Sequence, residues 1–260
     1  MEKSWYNISI IGAGKLAWHL AHAITSEGLR INKVYSRSEA SANKLVQSIK
    51  QGNTTTDKDF TNSTSNIFFI ALPDDVVPII LKDFHFPENT LLLHTSGTLP
   101  LSVLKDASKK NGVFYPLQTF SFGKEVDFKK IPICLEASDE SSLTKASNLA
   151  KFLSNEVHLI SSEKRKFLHL AAVFACNFSN RLFVLSKDIL AQEEIPFQIL
   201  SNLVNETVVK AFEIGPENAQ TGPAARNDLK TIEAHTKLLR DNSEKLEIYK
   251  LLSDSIRGIK

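Results

Sequence analysis

The residues Gly12-Ala13-Gly14-Lys15-Leu16-Ala17 stand between an apolar run, Ile8-Ser9-Ile10-Ile11, and a stretch with helical spacing. Each small residue there has a physical task. Gly12 permits a tight strand-to-helix turn, Gly14 lets the backbone approach a pyrophosphate, and Ala17 lets the helix lie close to a sheet. The helix N-terminus adds unpaired N–H groups and a partial positive charge, which suit phosphate oxygens. The pattern predicts a dinucleotide loop built on Gly12, Ala13, Gly14, Lys15 and Leu16. About 20 residues onward, a site for NAD puts a carboxylate against the ribose 2′-OH. This chain reads Val34-Tyr35-Ser36-Arg37-Ser38 instead, with no carboxylate at the strand end. Arg37 suits a 2′-phosphate, with Ser36 and Ser38 as further donors, so NADP(H) is expected over NAD(H). The alternative is a solvated loop arginine.

Polar residues also gather at other predicted strand ends, where open α/β sheets place their ligands. Leu72-Pro73-Asp74-Asp75 would border the ribose and phosphates, although Asp74 and Asp75 equally suit helix N-caps. His94, before Thr95-Ser96-Gly97-Thr98, is either a proton donor titrating near neutral pH or a strand-end histidine satisfied by backbone. Tyr115-Pro116-Leu117-Gln118-Thr119 ends a third strand, with Gln118 and Thr119 as cleft-lining polar groups. Further on, His169, Val173, Asn177 and Asn180 share one side of a helix at 100° per residue. That stripe fits a cleft or a polar seam between helices. Arg226, in Thr221–Asp228, could meet an anionic group or pair with Asp228, itself a reasonable N-cap. His19 and His22 share a helix face without a carboxylate, so no metal site is expected.

These groups need elements to hold them. Strand-like runs at 8–11, 31–36, 66–72, 91–94, 113–115, 131–135 and 156–160 alternate with helical stretches at 14–27, 39–49, 75–84, 101–109 and 141–153. The continuous apolar run NIFFIAL reads as a strand buried on both faces, as in a parallel sheet. The expected fold is a Rossmann-type, doubly wound, mainly parallel α/β sheet over 1–160. An all-α domain over 161–260 follows, with helices at 163–191, 197–213, 229–240 and 243–256. The chain has 260 residues, 42% hydrophobic, with a formal net charge of +2, which gives no general attraction to nucleic acid or membrane. Two isolated cysteines, Cys134 and Cys176, fit a reducing compartment. With no leader visible and no apolar run near the ~20 residues of a membrane span, a soluble cytoplasmic protein is expected.

With these residues in hand, the chain resembles the superfamily of phosphogluconate dehydrogenase, β-hydroxyacid dehydrogenases, pyrroline-carboxylate reductase and deazaflavin-linked NADP oxidoreductases. It is most similar to a bacterial branch that joins a Rossmann-like half to a helical domain of unknown function. The matching segments are GAGKLA (12–17), FIALPDD (69–75), HTSGTLP (94–100), YPLQTF (115–120), HLAAVFACNFSN (169–180) and TGPAARND (221–228). The resemblance implies an NADP-linked oxidoreductase, and a homodimer through the helical domain. By the same resemblance, Ser96 with the Gly97 and Thr98 N–H groups would hold a substrate carboxylate as a small anion nest. Asn177 matches the catalytic Asn of the hydroxyacid dehydrogenases, but their Lys, four residues earlier, is Val173 here. His169 is then the residue to take over proton transfer. The expected activity is hydride transfer to or from a small, anionic carbonyl or imine substrate, with His94, Ser96, His169 and Asn177 catalytic and Gly97, Gln118 and Arg226 against substrate. The alternative is a non-catalytic NADP(H) sensor or partner-binding protein.

Overall fold

The structure, a computed structural model, describes residues 3–258. Its first part alternates β1 (Asn7–Ile11), α1 (Lys15–Ser26), β2 (Arg30–Tyr35), α2 (Glu39–Ile49), β3 (Asn53–Thr55), β4 (Ile67–Ile70), α3 (Val77–Ile80), β5 (Leu91–His94) and β6 (Asn111–Pro116). Then come β7 (Ile133–Ala137), α4 (Glu140–Leu153), β8 (Val157–Leu159) and α5 (Ser162–Ala172). The eight strands form one sheet in the order β3-β2-β1-β4-β5-β6-β7-β8. All neighbours are parallel except β6 and β7. The join between those two, residues 117–132, carries only the single turn Phe128–Lys130 and no crossover helix.

β1 pairs with β2 on one side and β4 on the other. The chain therefore winds outward to β3 and returns to β4, putting the topological switch beside the C-terminal ends of β1 and β4. A ligand crevice belongs there. Every residue of β4, β5 and β6 is buried, as expected of strands covered on both faces. One face packs Leu20, Ile24, Leu149 and Leu153 from helices against Ile8, Ile10 and Phe69. The other is filled by Phe60, Phe68, Phe84 and Phe86, whose rings meet edge-on or stack. The full helices expected on this face are shorter. Residues 75–84 shrink to α3 and the turn Leu81–Asp83, and 101–109 to the turn Leu101–Leu104.

The expected single helix over 163–191 is three pieces: α5, a π-helical segment Val173–Phe178, and α6 (Ser179–Ala191). A π segment advances by i→i+5 bonds, so residues on either side of it no longer follow one 100° wheel. The shared face of His169, Val173, Asn177 and Asn180 is therefore corrected. The run Ser162–Ala191 is also, by length and composition alone, apolar enough to cross a membrane, contrary to expectation. Its first turns nonetheless belong to the sheet unit. Arg165 is fully buried and ion-paired to Glu136 of β7, and Leu168 packs on Val113, Tyr115 and Cys134. This anchoring moves the division of the molecule from near Ser161 to the Cys176–Asn177 link.

The second unit holds α6, α7 (Ser201–Ile214), α8 (Pro216–Ala219), α9 (Leu229–Leu238) and α10 (Ser243–Arg257). Asp228 and Asn242 cap α9 and α10 by accepting from Thr231 and Lys245 N–H groups. Arg181 pairs with Glu244 at 2.6 Å, and His235 bonds Tyr249 at 2.9 Å. Little of this unit is interior: Leu185, Ala224 and Ser253 are its buried residues among those described.

Candidate active site

At the end of β1, Gly12 has φ +121°, and a Cβ on it would overlap the Ala71 carbonyl. Its N–H donates to Tyr35 O at 2.8 Å, locking the turn to β2. Glycine is thus required at 12 by the protein itself. Gly14 differs. It N-caps α1 with φ −79°, an ordinary value for any residue, and a Cβ there would meet nothing within 4 Å. No packing demands a bare backbone at 14, and the space above it is open. The first turn of α1 has no side-chain cap and no acidic residue, leaving its N–H groups and Lys15 for an anion. Ala13 and Leu16 flank this opening and pack against the core.

After β2, Ser36 Oγ accepts from the Ser38 N–H at 3.2 Å. Ser38 caps α2 by accepting from the Ser41 N–H. Arg37 between them is exposed and forms no ion pair within 4.0 Å among the described residues. The segment is a folded turn that presents a guanidinium.

Leu72 and Pro73 continue from β4, with Leu72 against the aromatic face and the Pro73 carbonyl accepting from Val76 and Val77 N–H groups. Asp74 and Asp75 do not cap α3, whose N-cap is Val76. Instead the Asp74 carboxylate accepts from Ser96 Oγ at 2.8 Å and from Thr98 Oγ1. Ser96 Oγ in turn accepts from the Thr98 and Leu99 N–H groups, at 3.0 and 2.9 Å. The expected anion nest is already filled by the serine's own oxygen and sits beside a carboxylate. The Ser96 hydroxyl and the Thr98 N–H are thus engaged within the turn, which corrects their assignment to a substrate carboxylate.

His94 is fully enclosed. Its Nδ1 accepts from the Ser96 N–H at 3.2 Å, while Nε2 has no partner. Burial, followed by the nearby charge of Arg165, lowers its pKa to about 4. The expectation that His94 titrates near neutral pH is corrected: it is a neutral, structural histidine. Arg165 donates to Glu136 Oε2 at 2.8 Å and Leu99 O at 2.6 Å, so its charge is spent on holding α5 and the Ser96 turn to the sheet.

His169 lies elsewhere in the same neighbourhood. Its Nδ1 and Tyr115 Oη share a hydrogen bond of 3.1 Å. The phenol donates it when the imidazole carries its proton on Nε2, and the imidazole donates it otherwise. Burial pushes the Tyr115 phenol up to about 12, so it stays protonated. Gly97 is the floor of this pair, since a Cβ there would lie 2.6 Å from His169 Nδ1 and 2.9 Å from Tyr115 Cζ. Asp74, Ser96, Gly97, Tyr115 and His169 are thus gathered at one end of β4, β5 and β6. Tyr115 was named from sequence only as a strand end. Its signal was a hydroxyl at the C-terminal end of a buried strand, but the partner lies 54 residues away.

The remaining expected residues are Gln118, Asn177 and Arg226. Gln118 is exposed and its Oε1 accepts from its neighbour's Thr119 N–H at 2.8 Å. Asn177 is exposed within the π segment, where the second unit begins. Arg226, also exposed and in that unit, makes no ion pair with Asp228 within 4.0 Å among the described residues.

A phosphate-ready turn at the switch of a doubly wound sheet, followed by a helical unit, defines a Rossmann-type oxidoreductase class, and comparison with known proteins narrows it. Residues 7–95 match the family described as NADP oxidoreductase, coenzyme F420-dependent, and 131–256 match a domain of unknown function, DUF2520. Among solved structures, a Bacteroides fragilis protein provisionally assigned as an NADP oxidoreductase is 38% identical, with TM-score 0.92 and coverage of 99% of this chain and 100% of that one. A Thermotoga maritima protein is 24% identical with TM-score 0.77, covering 96% and 99%. A reductive aminase from Aspergillus terreus, solved with NADPH and ethyl-5-oxohexanoate, is 13% identical with TM-score 0.75 over 97% and 94%, a likeness of fold. A search of curated proteins returns no match. The chain belongs to the NADP oxidoreductase family in which this Rossmann-type domain is joined to the DUF2520 domain.

Proposed function

We propose that the protein is an NADP(H)-dependent oxidoreductase that transfers hydride to or from a small carbonyl or imine substrate. The observation that carries this reading is Gly14, whose bare backbone no packing requires, at a helix start without a side-chain cap. The residues present fit the nucleotide. Backbone N–H groups of Gly12, Ala13, Gly14, Lys15 and Leu16 would hold the diphosphate, and Ser36, Arg37 and Ser38 the 2′-phosphate. Leu72, Pro73 and Asp74 would border the ribose. The nucleotide supplies or accepts the hydride, while the protein orients the substrate and handles the proton. The anionic substrate expected from sequence has no support at the Ser96 turn, where the fixed charge is that of Asp74.

Fluorescence titration of the whole chain with NADPH and NADH tests this. NADPH should bind more tightly, and Arg37→Glu should weaken NADPH by roughly 10- to 100-fold while changing NADH little, as for loss of one charge-assisted contact. Equal losses for both nucleotides would remove Arg37 from the 2′-phosphate site. Cytoplasmic residence and a homodimer through the second unit complete the reading. They are supported by the unpaired Cys134 and Cys176 and by that unit's uncovered apolar side chains.

A further inference from the structure

We propose that Tyr115 is the proton donor of the reaction and that His169 positions its hydroxyl and restores its proton. This rests on the hydride-transfer reading above. Three separate elements converge on the pair: Tyr115 from the end of β6, His169 from α5, and the Gly97 backbone from the turn after β5. The two rings lie so close over Gly97 that any side chain there would strike both. Gly97 lacks the positive φ that would otherwise call for glycine, so this close approach is its reason. The other candidates at this end of the sheet are committed. Ser96 Oγ spends its proton on Asp74, and His94 is enclosed and neutral.

Tyr115 is 9% exposed, whereas His169 is half-buried. The imidazole therefore links an enclosed hydroxyl to the solvent side. In the reacting arrangement the His169 Nδ1–H donates to Tyr115 Oη, which frees the phenol proton for substrate. As the hydride brings its electron pair to the carbonyl or imine carbon, the C=X π pair moves to oxygen or nitrogen. That heteroatom takes the Tyr115 proton and becomes an alcohol or amine. The phenolate regains a proton from Nδ1 while Nε2 takes one from water, so the net proton comes from solvent. Because burial keeps the phenol protonated, it is in the donor form throughout the neutral range. The Asp74 carboxylate, held by Ser96 and Thr98, gives the neighbourhood a negative charge suited to the ammonium that the neutral product amine becomes on taking a second proton from water.

The test uses the full chain, Tyr115→Phe and His169→Ala, with 1-pyrroline, pyruvate, and cyclohexanone plus allylamine as probes. Positioned acids contribute on the order of 10²–10⁴ in rate, so Tyr115→Phe should lower kcat at least ~100-fold. NADPH affinity should stay within about twofold of the parent, since neither ring is in the phosphate turn. Added imidazole should restore part of the activity of His169→Ala and none of that of Tyr115→Phe. Independently of turnover, ¹⁵N spectra of the nucleotide-free protein should show the His169 Nδ1 resonance shifting in Tyr115→Phe. Unchanged turnover or an unmoved resonance in Tyr115→Phe overturns the proposal. So does a parent protein that binds NADPH and reduces none of the probes. Failure to bind NADPH at all would instead sink the hydride-transfer reading, and this proposal with it.

Discussion

Ser96 Oγ donates to the Asp74 carboxylate at 2.8 Å, joining the loop after β4 to the turn after β5. The same oxygen accepts two backbone N–H groups, so one hydroxyl satisfies four polar groups with itself included. A serine engaged in this way shapes the floor of the cleft and has no proton left for substrate. The consequence is a site whose fixed charge is negative and whose remaining hydroxyl is that of Tyr115, bonded to His169. Arg165 reinforces the arrangement by bonding both Leu99 O, in the Ser96 turn, and Glu136, in β7. Burial alone would raise the Glu136 carboxyl, but hydrogen bonds from Ser162 and Arg165 outweigh it and hold the carboxyl below its usual range.

The two glycines of the phosphate turn should separate folding from binding. Gly12→Ala forces a side chain into the Ala71 carbonyl at φ +121°, so chemical denaturation should show a loss of several kcal/mol. Gly14→Ala meets no atom and keeps an allowed backbone, so its stability should change by no more than about 1 kcal/mol, the scale of an N-cap substitution. Its NADPH affinity should nevertheless fall at least ~10-fold, which is 1.4 kcal/mol. A Gly14→Ala protein that binds NADPH normally would count against the diphosphate at this turn.

His94 sets a pH dependence of stability with a definite sign. Its pKa is about 4 in the folded chain against about 6.5 when unfolded. Between those values the unfolded chain binds the extra proton, so stability is fully present above about pH 6.5 and falls as pH drops toward 4. The full difference corresponds to about 3 kcal/mol. Urea unfolding at pH 7 and pH 5 should show most of this loss in the parent and much less in His94→Gln, whose amide oxygen still accepts from the Ser96 N–H. An identical pH difference in both proteins would show that other groups carry it.

What the sequence made legible follows from locality. Gly12 and Gly14 act within one turn, so their spacing was enough to find them. Likewise the apolar runs of β4 and β5 announced themselves, because strands covered on both faces need no alternation. Tyr115 and His169 were separately visible as residue types, but their hydrogen bond depends on three elements meeting over Gly97. Arg165 stands in the charged run Glu163-Lys164-Arg165-Lys166, and only the packing of α5 on β7 shows it to be interior. The π segment escaped because apolar residues surround it evenly, leaving no periodicity to break.

The second unit supplies the last prediction. Phe212 of α7 is 90% exposed, Leu238 of α9 81% and Leu251 of α10 70%. Monomeric proteins rarely leave apolar surface of that extent in water. With Leu185, Ala224 and Ser253 as its buried residues among those described, this unit has too small an interior to stand without cover. A second copy of the chain fits better than a lipid surface, because this unit's helices also carry charged residues, including the Arg181–Glu244 and Lys237–Glu233 pairs. Burying these faces against their symmetry mates would build one shared core from two incomplete ones. Sedimentation velocity should therefore find twice the 29.0 kDa of one chain. Phe212→Glu together with Leu251→Glu should shift the protein toward monomer and lower its thermal midpoint, with the midpoint of the parent rising with concentration. A parent protein that sediments as a 29.0 kDa species, or that floats with liposomes, would refute the dimer.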